Sequence, residues 1–221
     1  MGDVAIGFCL DQSGSMESQV KEAVAGFNAF KEEQAAQPGS AYLTLILFDT
    51  TEVVRFSGGN LKLVPDLGRG VNPYTPSGGT ALYDAVDTTI TQMETWLAGV
   101  QPFYGQVVVA IFTDGGENSS KRVTIDHLNQ RISEKKEQGW EFVFMGSGGA
   151  SWTEGKTFAA AGVTTLNYAG TPQSTEQAYA VLSTSLKQSR VTGQSVGTIF
   201  TNSAADLQAD PTLQQADPDS Q

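Results

Sequence analysis

Two carboxylates and three hydroxyls stand at turns where they could hold a hard cation. Asp11-Gln12-Ser13-Gly14-Ser15-Met16 follows directly on the apolar run Val4-Ala5-Ile6-Gly7-Phe8-Cys9-Leu10. It puts one carboxylate and two hydroxyls in a tight turn at a strand end. Thr80 comes after Ser77-Gly78-Gly79, and Asp114 comes just after the apolar run Val107 to Phe112. All of these are oxygen donors, the ligand type that suits a small divalent cation such as Mg²⁺. Mn²⁺ and Ca²⁺ fit the same donor chemistry.

The elements that must position these residues follow from the pattern. Residues 4–10 read as a continuously apolar strand, as expected where both faces are covered. Val20, Ala23, Val24, Phe27 and Phe30 recur at helical spacing, predicting a helix from about Met16 to Ala36 that Pro38-Gly39 stops. Tyr42 to Phe48 and Glu52 to Phe56 read as a hairpin. Residues 57–81 read as a loop rich in Gly, Pro and Asn. A helix then runs from Leu82 to about Gly99, a strand from Gln106 to Thr113, and a polar loop from Asp114 to Lys121. Ile125, Leu128 and Ile132 mark a helix, Trp140 to Met145 a strand, Phe158 to Ala161 a short helix, and residues 163–166 an edge strand. Ala178, Val181, Leu182 and Leu186 define a last helix.

Strands alternating with helices predict a single α/β domain over residues 1–200. Its form is Rossmann-like and doubly wound, with a mainly parallel central sheet, one antiparallel edge strand and helices on both faces. Ligands in such folds bind beyond the carboxyl ends of the strands, near the switch in strand order. Residues 201–221 read as an acidic disordered tail, with four Asp, two Pro, several Gln and no Lys or Arg.

Composition narrows the function classes. Of the 221 residues, the acidic ones outnumber the basic ones to give a net charge of −11, which argues against binding a phosphate backbone. The sole cysteine, Cys9, cannot form an internal disulfide and lies in an apolar run. Met1 to Asp3 carries no basic side chain, and no run approaches the roughly 18 apolar residues of a membrane helix. A cytoplasmic protein is the expectation.

The Asp-x-Ser-x-Ser turn, a separate Thr after a glycine pair, and Thr113-Asp114-Gly115 together resemble a von Willebrand factor type A domain with its metal ion-dependent adhesion site. The resemblance covers roughly residues 3–195. Phe112-Thr113-Asp114-Gly115-Gly116-Glu117-Asn118 and Trp140-Glu141-Phe142-Val143-Phe144 resemble stand-alone bacterial and phage members. The resemblance implies metal ligation by Asp11, Ser13, Ser15, Thr80 and Asp114. The three hydroxyls would bind directly, and the two carboxylates directly or through water. It implies a metal-dependent protein-binding module rather than an enzyme. Its partner would offer an Asp or Glu side chain as the sixth ligand, and an AAA-type ATPase system is the partner class that stand-alone members suggest. Two carboxylates neutralise Mg²⁺, and an ion that wants six oxygens retains room for that ligand.

Other readings stay beside this one. Helix capping would explain Asp11, Ser15 and Thr80 one at a time. A Mg²⁺-dependent phosphohydrolase with Asp11 as nucleophile would want a second carboxylate two residues on, where Ser13 stands. A phage or bacterial particle component would bind without exchanging partners. Gly193-Gln194-Ser195-Val196-Gly197 formally matches a nucleophile elbow, but it follows a helix and no histidine comes after it. Asp84 reads as a helix first-turn charge or as support behind the metal, and Glu117 and Asn118 as site rim or solvated loop. His127 reads as a surface or packing residue, and Trp96, Trp140 and Trp152 as packing residues.

Overall fold

The computed structural model describes residues 2–209. Its strands are β1 (Val4–Asp11), β2 (Ala41–Phe48), β3 (Glu52–Asn60), β4 (Gln106–Thr113), β5 (Glu141–Ser147) and β6 (Thr164–Tyr168). Its helices are α1 (Val20–Ala35), α2 (Leu82–Gly99), α3 (Ile125–Glu137), α4 (Gly149–Ala160), α5 (Pro172–Thr192) and α6 (Val196–Ala209). The strands form one sheet in the order β3-β2-β1-β4-β5-β6, parallel throughout except for the antiparallel edge pair β2–β3. β1 lies between β2 and β4, and every one of its residues is buried. That explains its unbroken apolar run. The chain leaves β1 on one side and returns on the other, so the switch in strand order falls at the carboxyl ends of β1 and β4.

Alternate side chains of the sheet feed two cores. Ile6, Phe8 and Leu10 pack with Phe27 and Phe30 of α1, Tyr179 and Leu182 of α5, and Phe200 of α6. Cys9, Ile111 and Phe144 pack with Val86 and Ile90 of α2, Leu128 of α3 and Phe158 of α4. Helices therefore cover both faces, as the alternation of elements predicts. Among the described residues no helix is long and apolar enough to cross a membrane.

α1 begins at Val20, after a 3-10 turn, rather than near Met16, and α4 begins at Gly149 rather than near Phe158. Two further boundaries differ from the sequence expectation, with consequences for packing. β3 continues to Asn60 rather than ending at Phe56, because Gly59 and Asn60 keep pairing with β2 beyond register shifts near Leu45. Thr44 Oγ1 accepts the Gly58 N–H there at 3.1 Å. The second difference is at the carboxyl end, where position 201 lies inside α6 rather than at the start of a tail. Val196, Phe200 and Ala204 repeat every four residues and sit buried in the first core. Their helix is anchored by Glu141, which accepts from Ser195 Oγ at 2.5 Å and from the N–H groups of Val196 and Gly197 at 3.0 Å each. A carboxylate at a helix N-terminus also favours the dipole. The rest of the expected tail, residues 210–221, lies outside the described residues. Ser195 of the apparent elbow is thus a helix-capping residue at the amino end of β5.

The segment between β3 and α2 is tied down despite its Gly and Pro content. Lys31 donates to Val64 O at 3.1 Å and to Asp66 at 2.5 Å. The Asn28 amide bonds Leu67 in both directions, at 2.8 and 3.1 Å. The segment then reaches the end of β1, where Tyr74 Oη donates to Asp11 O at 2.5 Å.

Gly26 sets the spacing of α1 and α5. A Cβ there would stand 2.3–2.8 Å from ring atoms of Tyr179. That ring cannot step aside, because it stacks on Phe112 at 4.7 Å and faces Phe8 at 6.0 Å. Replacing Gly by Ala inside a helix gains about 1 kcal/mol of propensity, but overpacking a core costs about 1–3 kcal/mol. Gly26→Ala is therefore expected to destabilise the protein by about 1–2 kcal/mol. Gly99→Ala, at the end of α2 with nothing within 4 Å of its Cβ, is expected to be neutral or mildly stabilising. Urea unfolding of the two variants checks the contrast, and equal stabilities contradict it.

Candidate functional site

The five residues singled out above meet at the carboxyl ends of β1 and β4. Asp11 is the last residue of β1, and its side chain is fully buried. Its Oδ1 accepts the Ser13 N–H at 2.6 Å, closing the turn. Its Oδ2 accepts the Thr113 hydroxyl at 2.6 Å, across from the end of β4. The turn itself is held from outside, as Gln12 N donates to Phe48 O at 2.7 Å, Ser77 N to Gln12 O at 2.8 Å, and Gly14 N to Gly78 O at 3.1 Å.

The hydroxyls follow in sequence around this carboxylate. Ser13 Oγ and Ser15 Oγ lie 3.1 Å apart, and Ser15 Oγ donates to Asp114 Oδ1 at 2.6 Å. Ser13 is buried and Ser15 is exposed, so the cluster runs from the core to the surface. Thr80, also buried, comes in from the loop before α2. Its N–H donates to Asn118 Oδ1 at 2.8 Å, and its carbonyl accepts from Asn118 N and Ser119 N at 3.0 and 3.2 Å. A Cβ built on Gly115 would lie 3.1 Å from Thr80 Oγ1 and 3.8 Å from Ser15 Oγ. Glycine at 115 thus lets the hydroxyls of two loops share one space.

None of the five side chains caps a helix. Ser13 precedes the 3-10 turn Gly14–Gln19, and Ala81 precedes α2, both without a side-chain cap bond. The N-terminus of α2 is served instead by the loop after β4. Glu117 accepts from Tyr83 N at 3.0 Å, and Ser120 Oγ accepts from Asp84 N at 3.1 Å. Capping therefore does not account for the residues at positions 11, 15 and 80.

The neighbouring residues take structural duties. Asp84 does not support the cluster from behind. It accepts the N–H groups of Lys121, Arg122 and Val123 at 2.8, 3.1 and 3.0 Å and so fixes the far end of the loop. Glu117 turns inward to bond Ser119 N and Ser120 N at 2.8 and 2.6 Å. Asn118 is exposed and holds Thr80. His127 is exposed on α3. Trp96 packs on Tyr42 and Phe103 at 4.9 and 5.8 Å, and Trp140 is buried beneath Lys135.

Three residues shape the site without having been singled out from the sequence. Thr113 orients Asp11. Tyr74 fixes the backbone carbonyl of Asp11. Gln19 Nε2 donates to Asp114 Oδ2 at 3.1 Å. Only Thr113 left a trace in the sequence, as part of Thr113-Asp114-Gly115. Tyr74 and Gln19 act over distances that no local pattern encodes.

Electrostatically, the two carboxylates are short of compensation. Burial pushes the Asp11 carboxyl up to about 6, against the pull of the Thr113 and Ser13 hydrogen bonds, and the Asp114 charge adds to the rise. Burial also raises Asp114, while bonds from Ser15 and Gln19 oppose it. Among the described residues the ion pairs all lie elsewhere. Nor do three or more His, Cys, Asp or Glu side chains converge on a metal position. A cation here would be held by two carboxylates and three hydroxyls, and that donor set fits a hard divalent ion.

The sequence matches the family model of the von Willebrand factor type A domain over residues 5–180. No curated protein matches it. Among solved structures, it is similar to a von Willebrand factor type A protein from Catenulispora acidiphila. The two share 16% identity at a TM-score of 0.58, over 82% of this chain and 42% of that one. The pilus adhesin SpaC from Lactobacillus rhamnosus GG is similar at 12% identity and a TM-score of 0.63, over 86% of this chain and 30% of that one. The conserved hypothetical protein BatB from Bacteroides thetaiotaomicron is similar at 12% identity and a TM-score of 0.54, over 85% of this chain and 99% of that one. The chain thus spans less than half the length of the first two. At such identities the structures show a shared fold, while the family match covers most of the sequence. The chain belongs to the von Willebrand factor type A domain family.

Proposed function

We propose that this domain is a metal-dependent protein-binding module. A divalent cation, Mg²⁺ by preference, is held by Asp11, Ser13, Ser15, Thr80 and Asp114, and an acidic side chain of the partner completes its coordination. The observation that carries the reading is a pair of desolvated carboxylates joined by a file of hydroxyls, with no basic side chain paired to either among the described residues. Such an arrangement costs free energy until a cation arrives. When bound, the cation supplies a Lewis-acidic position for an oxygen ligand. The chain's own residues orient the donors and keep them rigid. A cytoplasmic location belongs to the same proposal.

The buried state of Asp11 favours this reading over a phosphohydrolase. Both of its oxygens already accept hydrogen bonds, and its side chain is fully enclosed. In-line attack on phosphorus needs an oxygen that reaches the substrate directly, whereas a carboxylate can serve a cation through water or through the hydroxyls it orients. Ser13 offers no carboxyl to act as the acid–base partner. Absence of Mg²⁺-dependent phosphatase activity is the expected result of an assay.

The carboxyl shift gives a test without a partner. A group held above its unfolded value of about 4 stabilises the fold only while protonated. That contribution is complete below about pH 4 and is lost as pH rises through the folded value, about 6 for Asp11. At pH 7.5 the metal-free protein therefore carries a buried, unbalanced charge. Asp11→Asn removes it. The amide oxygen still accepts from Ser13 N, and its NH₂ can donate to Thr113 Oγ1, whose hydroxyl can turn to Gly115 O at 3.2 Å. In EDTA at pH 7.5 the variant is expected to be more stable than wild type by about 1–2 kcal/mol, with the gap closing toward pH 4. Millimolar Mg²⁺ should raise the melting temperature of wild type and leave that of the variant unchanged. A wild type insensitive to Mg²⁺ and Mn²⁺ at pH 7.5 would sink the metal assignment.

A second test concerns the partner. Neutralising the one Asp or Glu that reaches the cation, by Asn or Gln, is expected to weaken EDTA-sensitive binding by about 2–5 kcal/mol, as when a desolvated charge pair is broken at an interface. Binding measured with each acidic residue of a captured partner neutralised in turn checks this. If none of the changes weakens it, the cation is structural only.

A further inference from the structure

We infer that Gln19 sets the choice of cation, favouring Mg²⁺ over the larger Ca²⁺ by occupying Asp114 Oδ2, so that only Oδ1 can face the ion. The inference rests on the proposed cation at this site. Gln19 stands where the 3-10 turn Gly14–Gln19 passes into α1, with φ −116° and ψ 8°. Its half-buried side chain bridges two parts of the fold. Nε2 donates to Asp114 Oδ2 at 3.1 Å, and Oε1 accepts from Thr175 Oγ1 at 3.3 Å. Thr175 is fully buried in the first turn of α5. The amide cannot reverse, because Oε1 would then face a carboxylate and the Thr175 hydroxyl would lose its acceptor.

The consequence for Asp114 is geometric. Its Oδ1 points to Ser15 Oγ at 2.6 Å, within the hydroxyl file, and its Oδ2 is taken by Gln19. Only the second lone pair of Oδ1 is left for a cation, in a fixed direction. Mg²⁺ demands near-octahedral coordination and takes carboxylates through one oxygen, whereas Ca²⁺ accepts six to eight ligands and commonly takes a carboxylate through both. Selectivity between these ions is a matter of ligand number and rigidity. A carboxylate restrained on both oxygens suits Mg²⁺. One freed to pivot and present both oxygens suits Ca²⁺ better. Gln19 is therefore a positioning residue, acting through Asp114 and itself braced by Thr175.

The test uses the full chain and the ions alone. Mg²⁺ and Ca²⁺ are each titrated by calorimetry into metal-stripped wild type, Gln19→Met, Thr175→Val and the double variant. Met keeps the length and loses both hydrogen bonds. Removing a partner that orients a metal ligand typically costs about 10–100-fold in affinity, so the Mg²⁺ Kd of Gln19→Met should rise by about 10-fold. Its Ca²⁺ Kd should stay or fall. Thr175→Val should shift the Mg²⁺/Ca²⁺ ratio the same way and by less, and the double variant should match Gln19→Met, since both changes cut one chain of bonds. A merely structural role would lower the melting temperature in EDTA and weaken both ions alike. Wild type that binds neither ion overturns the proposed function and this inference together. Wild type that binds Mg²⁺, with a Mg²⁺/Ca²⁺ ratio unmoved by either single variant, overturns the inference alone.

Discussion

The structure around the switch in strand order depends on one unfavourable fact, the carboxylate of Asp11 enclosed at the end of the central strand. Its position leaves no choice about burial. β1 has β2 on one side and β4 on the other, helices on both faces, and the segment ending in Tyr74 and Ser77 over its carboxyl end. A charge placed there must be paired, neutralised by a proton or balanced by an ion. Hydrogen bonds from Ser13 N and the Thr113 hydroxyl offset part of the cost and leave the rest, which is why its proton is held up to about pH 6. A surface Asp would pose no such demand, because water would solvate its charge.

The same constraint explains why the surrounding loops are so thoroughly bonded. Three segments converge, and each is locked by partners remote in sequence. The turn after β1 is fixed to Phe48 and Gly78, the loop before α2 to Asn118, and the loop after β4 to Asp84. The bonds run between backbone groups and short polar side chains, so little conformational freedom is left when a ligand arrives. Preorganised donors bind more tightly, because their ordering has already been met by folding. Glu117 illustrates the division of labour. It lies three residues from Asp114, yet its carboxylate is spent on N–H groups of its own loop and of α2. It is thereby removed from the candidate ligands.

Elements with long periodic runs were legible in the sequence, and so was the cluster. β1, β4 and β5 show as apolar runs and α1 and α2 as apolar stripes, because burial on both faces or on one face leaves its own period in the sequence. Asp11, Ser13, Ser15 and Asp114 were legible because strand ends are marked by a change from apolar to polar residues, and Thr80 because it follows a glycine pair in the pattern that resembles the family's. The misses have physical reasons. Ala204 lies past position 201, among Thr, Asn, Ser, Asp and Gln residues, so the polar composition there hid the apolar repeat of Val196, Phe200 and Ala204. Gly58 and Gly59 signal a loop by propensity, and only the pairing of Gly59 with Leu43 of β2 overrides it. Asp84 stands in the right place for a supporting role. Its side chain faces Lys121, Arg122 and Val123, an orientation set by tertiary packing alone. Gln19 and Tyr74 were silent because each acts on a group 63 or more positions away.

The proposed binding mode also constrains what kind of surface can approach. Two carboxylates balance a divalent ion, so a partner's carboxylate leaves the completed site with a net negative charge. The chain as a whole is already at −11. Over distances beyond about 8–10 Å, salt screens these charges, and the long-range field adds little. Close to the site Arg122 of the neighbouring loop is occupied, since it pairs with Glu52 and lies 3.7 Å from Asp84. The single contact to the cation must therefore be made by an acidic side chain standing alone, set in a neutral or basic surface that does not add to the repulsion. Affinity then comes from the metal contact, and discrimination among such partners falls to the exposed residues that flank it, Gly78 and Asn118 among them. Like charge misplaced on a partner costs more at a desolvated site than an extra favourable contact returns. Specificity on this mode is thus largely exclusion of acidic surfaces by a site that itself asks for one acid.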